Sequence, residues 1–160
     1  MKLLVELASK IWRRMPKQAR RWGVLLTESR FTVTAGAVVA DDAGRVLLLQ
    51  HRFRSGSGWG IPGGFLQSSE QPEAALRREL REEIGLEVSQ LEIAFVRSLD
   101  QYNQIEIIFR CSPKTSFQPQ GREIARAEWF APNAFPQTLS NDQRALIERA
   151  LNLKPITNNL

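Results

Sequence analysis

Residues Gly64 to Leu86 read GFLQSSEQPEAALRRELREEIGL, and the fold is decided by how this stretch is read. Pro72 suits the first turn of a helix, where its missing N–H would have no partner in any case. Glu73 beside it puts negative charge at the positive end of the helix dipole. Good helix formers then run without a break through Ile84, and Gly85 supplies a left-handed stop. On this helix Glu79, Glu82 and Glu83 share one face, because residues three and four apart are surface neighbours. Leu76, Leu80 and Ile84 form a second stripe that faces a core. Arg77, Arg78 and Arg81 take the remaining side.

A solvated helix laced with ion pairs accounts for part of this pattern, Arg78 and Glu82 being spaced for one such pair. It leaves Glu79 and Glu83 unexplained, since like charges one turn apart cost a few tenths of a kcal/mol, roughly, in an isolated helix. A divalent cation reverses that penalty, and hard Mg²⁺ or Mn²⁺ favours oxygen ligands of this kind.

The wider spacing agrees. Gly64, then Glu70, then Arg78-Glu79-Leu80-Arg81-Glu82-Glu83-Ile84-Gly85-Leu86 resembles the Nudix box at every position that pattern specifies. The resemblance implies a loop–helix–loop that holds a divalent metal, Mg²⁺ or Mn²⁺, against a diphosphate. It makes Glu79, Glu82 and Glu83 metal ligands, joined by the carbonyl of Gly64. Arg78 is expected to orient a neighbouring glutamate, and Glu70 to support the loop. The implied fold is α/β: an α/β/α sandwich with a mixed central sheet, here with an N-terminal helical extension.

Length and composition agree with one such domain. The 160 residues are 42% hydrophobic and 24% charged, as in ordinary globular chains large enough for a full core. One cysteine, Cys111, excludes an internal disulfide framework, and one histidine, His51, argues against a histidine-based zinc site. These absences favour a carboxylate metal site and a reducing, cytoplasmic setting. The net charge of +5 is uneven: residues 1–30 carry +6 and the remainder −1.

The expected division is therefore a basic helical extension, 1–30, and a Nudix-like domain, 31–155. Leu3 to Met15 has an amphipathic helical pattern broken by Glu6 and Lys10, which is unlike a secretory signal. Three readings of it stand open: packing on the body or at a homodimer interface, contact with an anionic membrane surface, and contact with nucleic acid. Pro16 ends that helix, and the following KQARRWGVLL has no assignment.

From Phe31 the pattern turns to strands. Phe31–Val39 and Val46–Gln50 flank the turn signal Asp41-Asp42-Ala43-Gly44, and Leu91–Leu99 and Gln104–Cys111 flank Asp100 to Asn103. Alternation around Ile105-Glu106-Ile107 turns Glu106 towards solvent. Glu128–Phe130 reads as a short closing strand and Asn141–Leu153 as a final amphipathic helix.

The implied reaction is hydrolysis of a nucleoside diphosphate linked to a group X, of ADP-ribose or nucleotide-sugar type, by attack of metal-bound water. Alternatives are a diadenosine polyphosphate hydrolase, an RNA-directed pyrophosphohydrolase, and a Nudix-shaped binding protein without catalysis. Glu123 is the candidate general base, with Glu106 and Asp100 as weaker ones. Arg52, Arg54 and Trp59 are candidates for contact with a small nucleotide substrate. Tyr102 joins them because it stands sixteen residues beyond the box, where a tyrosine resembles the diadenosine polyphosphate hydrolases.

Overall fold

The computed structural model describes residues 2–53, 56, 58–120 and 122–152. The chain divides into two compact units, Met1–Phe31 and Thr32–Leu160. In the first unit, helix α1 spans Lys2–Arg14 and helix α2 spans Lys17–Thr27. Pro16 does separate them: its extended backbone, φ −55° and ψ 146°, leads into α2. Pro16 has no N–H to lose there. The stretch left unassigned by sequence is thus largely helical, although Gly23 and Trp22 weaken its intrinsic propensity. The side chains of Leu3, Leu4, Leu7 and Ile11 lie outside the described ones.

The second unit is a three-layer sandwich. Its middle layer holds two sheets. The first has strand order β4 (Gly63–Phe65), β1 (Thr32–Val39), β6 (Gln104–Pro113), β5 (Val88–Leu99). The second has β3 (Trp59–Gly60), β2 (Val46–His51), β7 (Ile124–Phe130). Among the described residues only β1 and β6 run parallel; the other pairs are antiparallel, so the layer is mixed. A bridge from Ala40 to Val46 joins the end of β1 to β2 outside the ladders.

Period-two alternation explains the two cores. Ala35, Ala37 and Val39 of β1, Leu47 and Leu49 of β2, and Phe109 and Cys111 of β6 face one way. They pack with Ala75, Leu76, Leu80 and Ile84 of helix α3 (Pro72–Ile84). Val38, Val46, Leu48 and Ile108 face the other way, onto Leu146, Ile147 and Ala150 of helix α4 (Asn141–Asn152). The α/β/α order follows.

Helix α3 starts and stops as its sequence dictates. Pro72 occupies the first turn with Glu73 beside it, and Gly85 is left-handed at φ 66°. Its C-terminal carbonyls are then covered by a distant loop. Gln118 N–H donates to Ile84 O at 2.9 Å, and Gln120 N–H donates to Glu83 O at 2.7 Å. Strands β3 and β4 were not evident from sequence, and Asp100–Tyr102 forms a 3-10 turn. Leu153, the last residue of the expected final helix, lies outside the described residues.

Candidate active site

The carboxylate face of α3 looks onto the loop Phe65 to Gln71. Arg78 joins the two. Its Nε donates to Glu70 Oε1 at 2.9 Å and its second terminal nitrogen to Glu70 Oε2 at 3.0 Å. That nitrogen also reaches the Phe65 carbonyl at 3.1 Å. The first terminal nitrogen donates to Glu79 Oε1 at 2.8 Å and to Glu82 Oε2 at 3.3 Å. Glu70 also accepts the Gln67 N–H at 2.9 Å, so the loop is closed on its own glutamate. The Arg78 hydrogen bond, then the Gln67 N–H, hold the Glu70 carboxyl below its usual range. Reciprocally, Glu70 raises the Arg78 guanidinium above its ordinary value. These are the contacts of the two residues expected to orient a glutamate, Arg78, and to support the loop, Glu70.

Gly64 lies against Glu79: a Cβ built on Gly64 would overlap the Glu79 carboxylate. Glycine is needed here for close approach, not for an unusual φ. Neighbouring Gly63 does need the conformational freedom, with φ 144° and the Ala35 carbonyl where its Cβ would stand. Glu83 is mostly buried, and its Oε1 lies 3.8 Å from His51 Nδ1. Glu82 is 61% exposed.

Among the described residues, no three acidic, histidine or cysteine groups converge as a ready-made metal cluster. Arg78 stands between Glu79 and Glu82 and donates to both. The donor set nevertheless fits a hard divalent cation: three carboxylates on one helical face, and a glycine that clears the space beside Glu79. Glu82 is exposed enough to turn towards the other two.

Glu123 is exposed and directly precedes β7. Its backbone carbonyl accepts the Arg52 N–H at 2.8 Å, and Ile124 pairs with His51. Glu123 therefore sits at the same strand end as His51, which faces Glu83. Arg52 shares that end and is exposed, while Arg54 lies outside the described residues.

Two candidates for substrate contact have other surroundings. Trp59 packs edge-on against Phe130 at 5.3 Å and belongs to the α4-side core. Tyr102 is 64% exposed on the 3-10 turn. Neither lines the cleft beside Gly64. Trp59 is drawn inward because β3 pairs with central strand β2, burying one side of it.

Glu106 departs from expectation. It lies in that cleft, only 19% exposed, and accepts from Arg97 Nε at 2.6 Å. The solvent-facing expectation fails because Arg97 of β5 pairs directly opposite Glu106 and compensates its charge. Asp100 is engaged at the turn by the Ser98 hydroxyl at 2.9 Å. Gln104 and Gln143 line the cleft, and sequence reasoning did not single them out. Their partners are remote in the chain, and no local spacing signals them.

A family model described as the NUDIX domain matches residues 30–150. The chain belongs to the Nudix hydrolase family. It is 31% identical over 106 residues to a MutT-like protein of Streptomyces ambofaciens, covering 66% of this chain and 67% of the relative. It is 34% identical over 121 residues to an RNA pyrophosphohydrolase of Pseudomonas putida, covering 74% of this chain and 68% of that one. An RNA pyrophosphohydrolase of Teredinibacter turnerae is 41% identical over 101 residues, 62% of this chain and 55% of the relative. Among solved structures, the MutT NUDIX hydrolase of Burkholderia pseudomallei superposes with a TM-score of 0.61 at 27% identity, covering 76% of this chain and 98% of the other. The NUDIX domain of Shewanella oneidensis NrtR, solved with ADP ribose, shares the fold with a TM-score of 0.69 at 21% identity, covering 86% and 97%.

Proposed function

We propose that the protein is a metal-dependent pyrophosphohydrolase that cleaves the diphosphate of a nucleoside diphosphate linked to a group X. The observation that carries this reading is the packing of Glu79 against Gly64, on the helical face that also bears Glu82 and Glu83. Glu79, Glu82, Glu83 and the Gly64 carbonyl would hold Mg²⁺ or Mn²⁺. Such an ion supplies charge neutralisation for the phosphates and acidifies a water. The protein's own part is positional. Arg78 fixes the loop against the helix, Gly64 admits the close approach, and the buried surroundings of Glu83 hold its carboxylate towards His51. Glu123, at the adjoining strand end, is the group assigned to take a proton from water.

Chromatographic detection of the products formed with Mg²⁺, over ADP-ribose, nucleotide sugars, diadenosine polyphosphates, nucleoside triphosphates and 5′-triphosphate RNA, tests this directly: a nucleoside diphosphate-X should yield a nucleoside monophosphate and phosphorylated X. Turnover should need Mg²⁺ or Mn²⁺ and stop with EDTA, and Glu83→Gln should lower it by orders of magnitude while melting as the wild type does. Wild-type turnover in that variant would end the metal assignment. A second reading, action on RNA 5′ ends, is favoured by the names of the Pseudomonas and Teredinibacter relatives and by the +6 charge of residues 1–30. Activity on triphosphate RNA that falls steeply with salt would move it to first place.

A further inference from the structure

The face of β1 turned away from α3 carries an open cleft of about 250 Å³, lined by Thr34, Gly36, Gly64, Gln104, Glu106 and Gln143 among others. It is kept open by Gly36, where a Cβ would stand 3.0 Å from Ile61 Cδ1. Gly64 is the wall it shares with the carboxylate face, since Gly64 lines the cleft and also touches Glu79.

The polar edge of the cleft has a definite donor and acceptor pattern. Gln143 Oε1 accepts the Ile61 N–H at 3.0 Å. A backbone N–H can only donate, so the Gln143 amide is oriented with its NH₂ left to donate. Gln104 donates through Nε2 to Thr34 Oγ1 at 3.0 Å, which leaves its carbonyl oxygen as an acceptor. Glu106 receives Arg97 Nε on Oε2, and a carboxylate has lone pairs to spare. Arg97 also donates to both oxygens of Asp142, at 2.6 and 2.8 Å. One guanidinium thus ties Glu106 to the residue preceding Gln143 and brings the carboxylate and the amide to one end of the cleft.

We propose that this cleft seats the substrate's nucleobase and selects guanine, with Glu106 accepting from N1–H and N2–H and Gln143 donating to O6. The inference rests on the pyrophosphohydrolase reading and names the base within it. Guanine offers two adjacent donors beside one acceptor, matching a carboxylate beside an amide NH₂. Adenine offers one donor beside one acceptor along the same edge, cytosine offers one donor beside two acceptors, and uracil's single donor lies between two acceptors. All three therefore forgo one charge-assisted bond to Glu106. A polar site rejects an analogue that leaves its groups unmatched.

Calorimetric titration of GMP and AMP, with and without Mg²⁺, is the primary test, alongside kcat/KM for GDP-glucose and ADP-glucose. GMP should bind at least about tenfold more tightly than AMP, roughly one hydrogen bond's worth. Glu106→Gln should remove that preference. Gln143→Glu keeps the acceptor for Ile61 N–H but replaces the donor to O6, and should weaken GMP binding and shrink its preference over AMP. Circular dichroism and melting establish that each variant folds; if Glu106→Gln does not, Gln143→Glu alone carries the comparison. Equal or undetectable binding of GMP and AMP by the wild type overturns the proposal, as does a GMP preference untouched in a folded variant. Hydrolysis of both nucleotide sugars at equal kcat/KM removes the guanine seat and leaves the hydrolase reading standing. Guanine-selective binding without hydrolysis of any substrate does the reverse.

Discussion

Arg78 and Glu70, eight residues apart, are joined by two parallel hydrogen bonds of 2.9 and 3.0 Å, and this fork clamps the loop to the carboxylate helix. Planar, two-pronged pairing of this kind is specific to arginine. Arg78→Lys should therefore keep the charge yet lose the clamp. We expect turnover to fall by about 100-fold, the cost of small misplacements in an active site, with a melting temperature within a few degrees of wild type. Turnover equal to wild type would show that charge alone suffices.

The same clamp gives a pH dependence of known sign. Glu70 has its folded pKa depressed by Arg78, and Asp142 by Arg97. Their stabilisation is therefore complete above the ordinary carboxylate range and is lost as pH falls through the depressed values. The gap in melting temperature between wild type and Arg78→Gln should be full at pH 7 and close as the pH drops below about 4. A gap that stays constant down to pH 3 would contradict the assignment.

Gly64→Ala isolates the approach of Glu79. The added methyl overlaps the Glu79 carboxylate, whose chain must give way. Activity should fall by at least about tenfold, and the Mg²⁺ concentration for half-maximal rate should rise. An unchanged Mg²⁺ requirement would mean that Glu79 has no part in holding the ion.

Leu80→Ala tests the packing that carries the site. Leu80 is fully buried between α3 and the sheet, so the substitution should cost about 2–5 kcal/mol in chemical denaturation. A cost below about 1 kcal/mol would mean the cavity collapses freely.

Cys111 should be inert in the folded protein. Burial pushes its thiol up to about 12, so almost no thiolate, the reactive form, exists at pH 8. Its stabilising contribution is present below the ordinary thiol value and lost as pH rises towards 12. Reaction with a disulfide reagent should be slow until guanidinium is added; rapid native labelling would contradict this.

Elements with a local signature were legible in the sequence. Helix α3 carries its start in Pro72, its stop in Gly85 and its core stripe in Leu76, Leu80 and Ile84, all within a few turns. Strands β3 and β4 could not be read, since two or three residues rich in glycine show no alternation. Helix α2 was hidden because Gly23 and Trp22 give no clear helical propensity. The setting of Glu106 was hidden for another reason: it depends on Arg97, whose other partner is 45 residues further on. Contacts closed by topology leave no spacing to count.

The loop that covers the end of α3 also leads to Glu123. That loop is pinned at Gln120 by its bond to Glu83 O, and Glu123 is itself pinned through its own carbonyl to Arg52. A proton acceptor on a swinging lid would trade reach for entropy each time it closed. Glu123 instead has its own backbone held, through its carbonyl, by the Arg52 N–H. As the proposed base, Glu123 would reach the carboxylate face by a change of rotamer, a motion of picoseconds to nanoseconds for an exposed side chain.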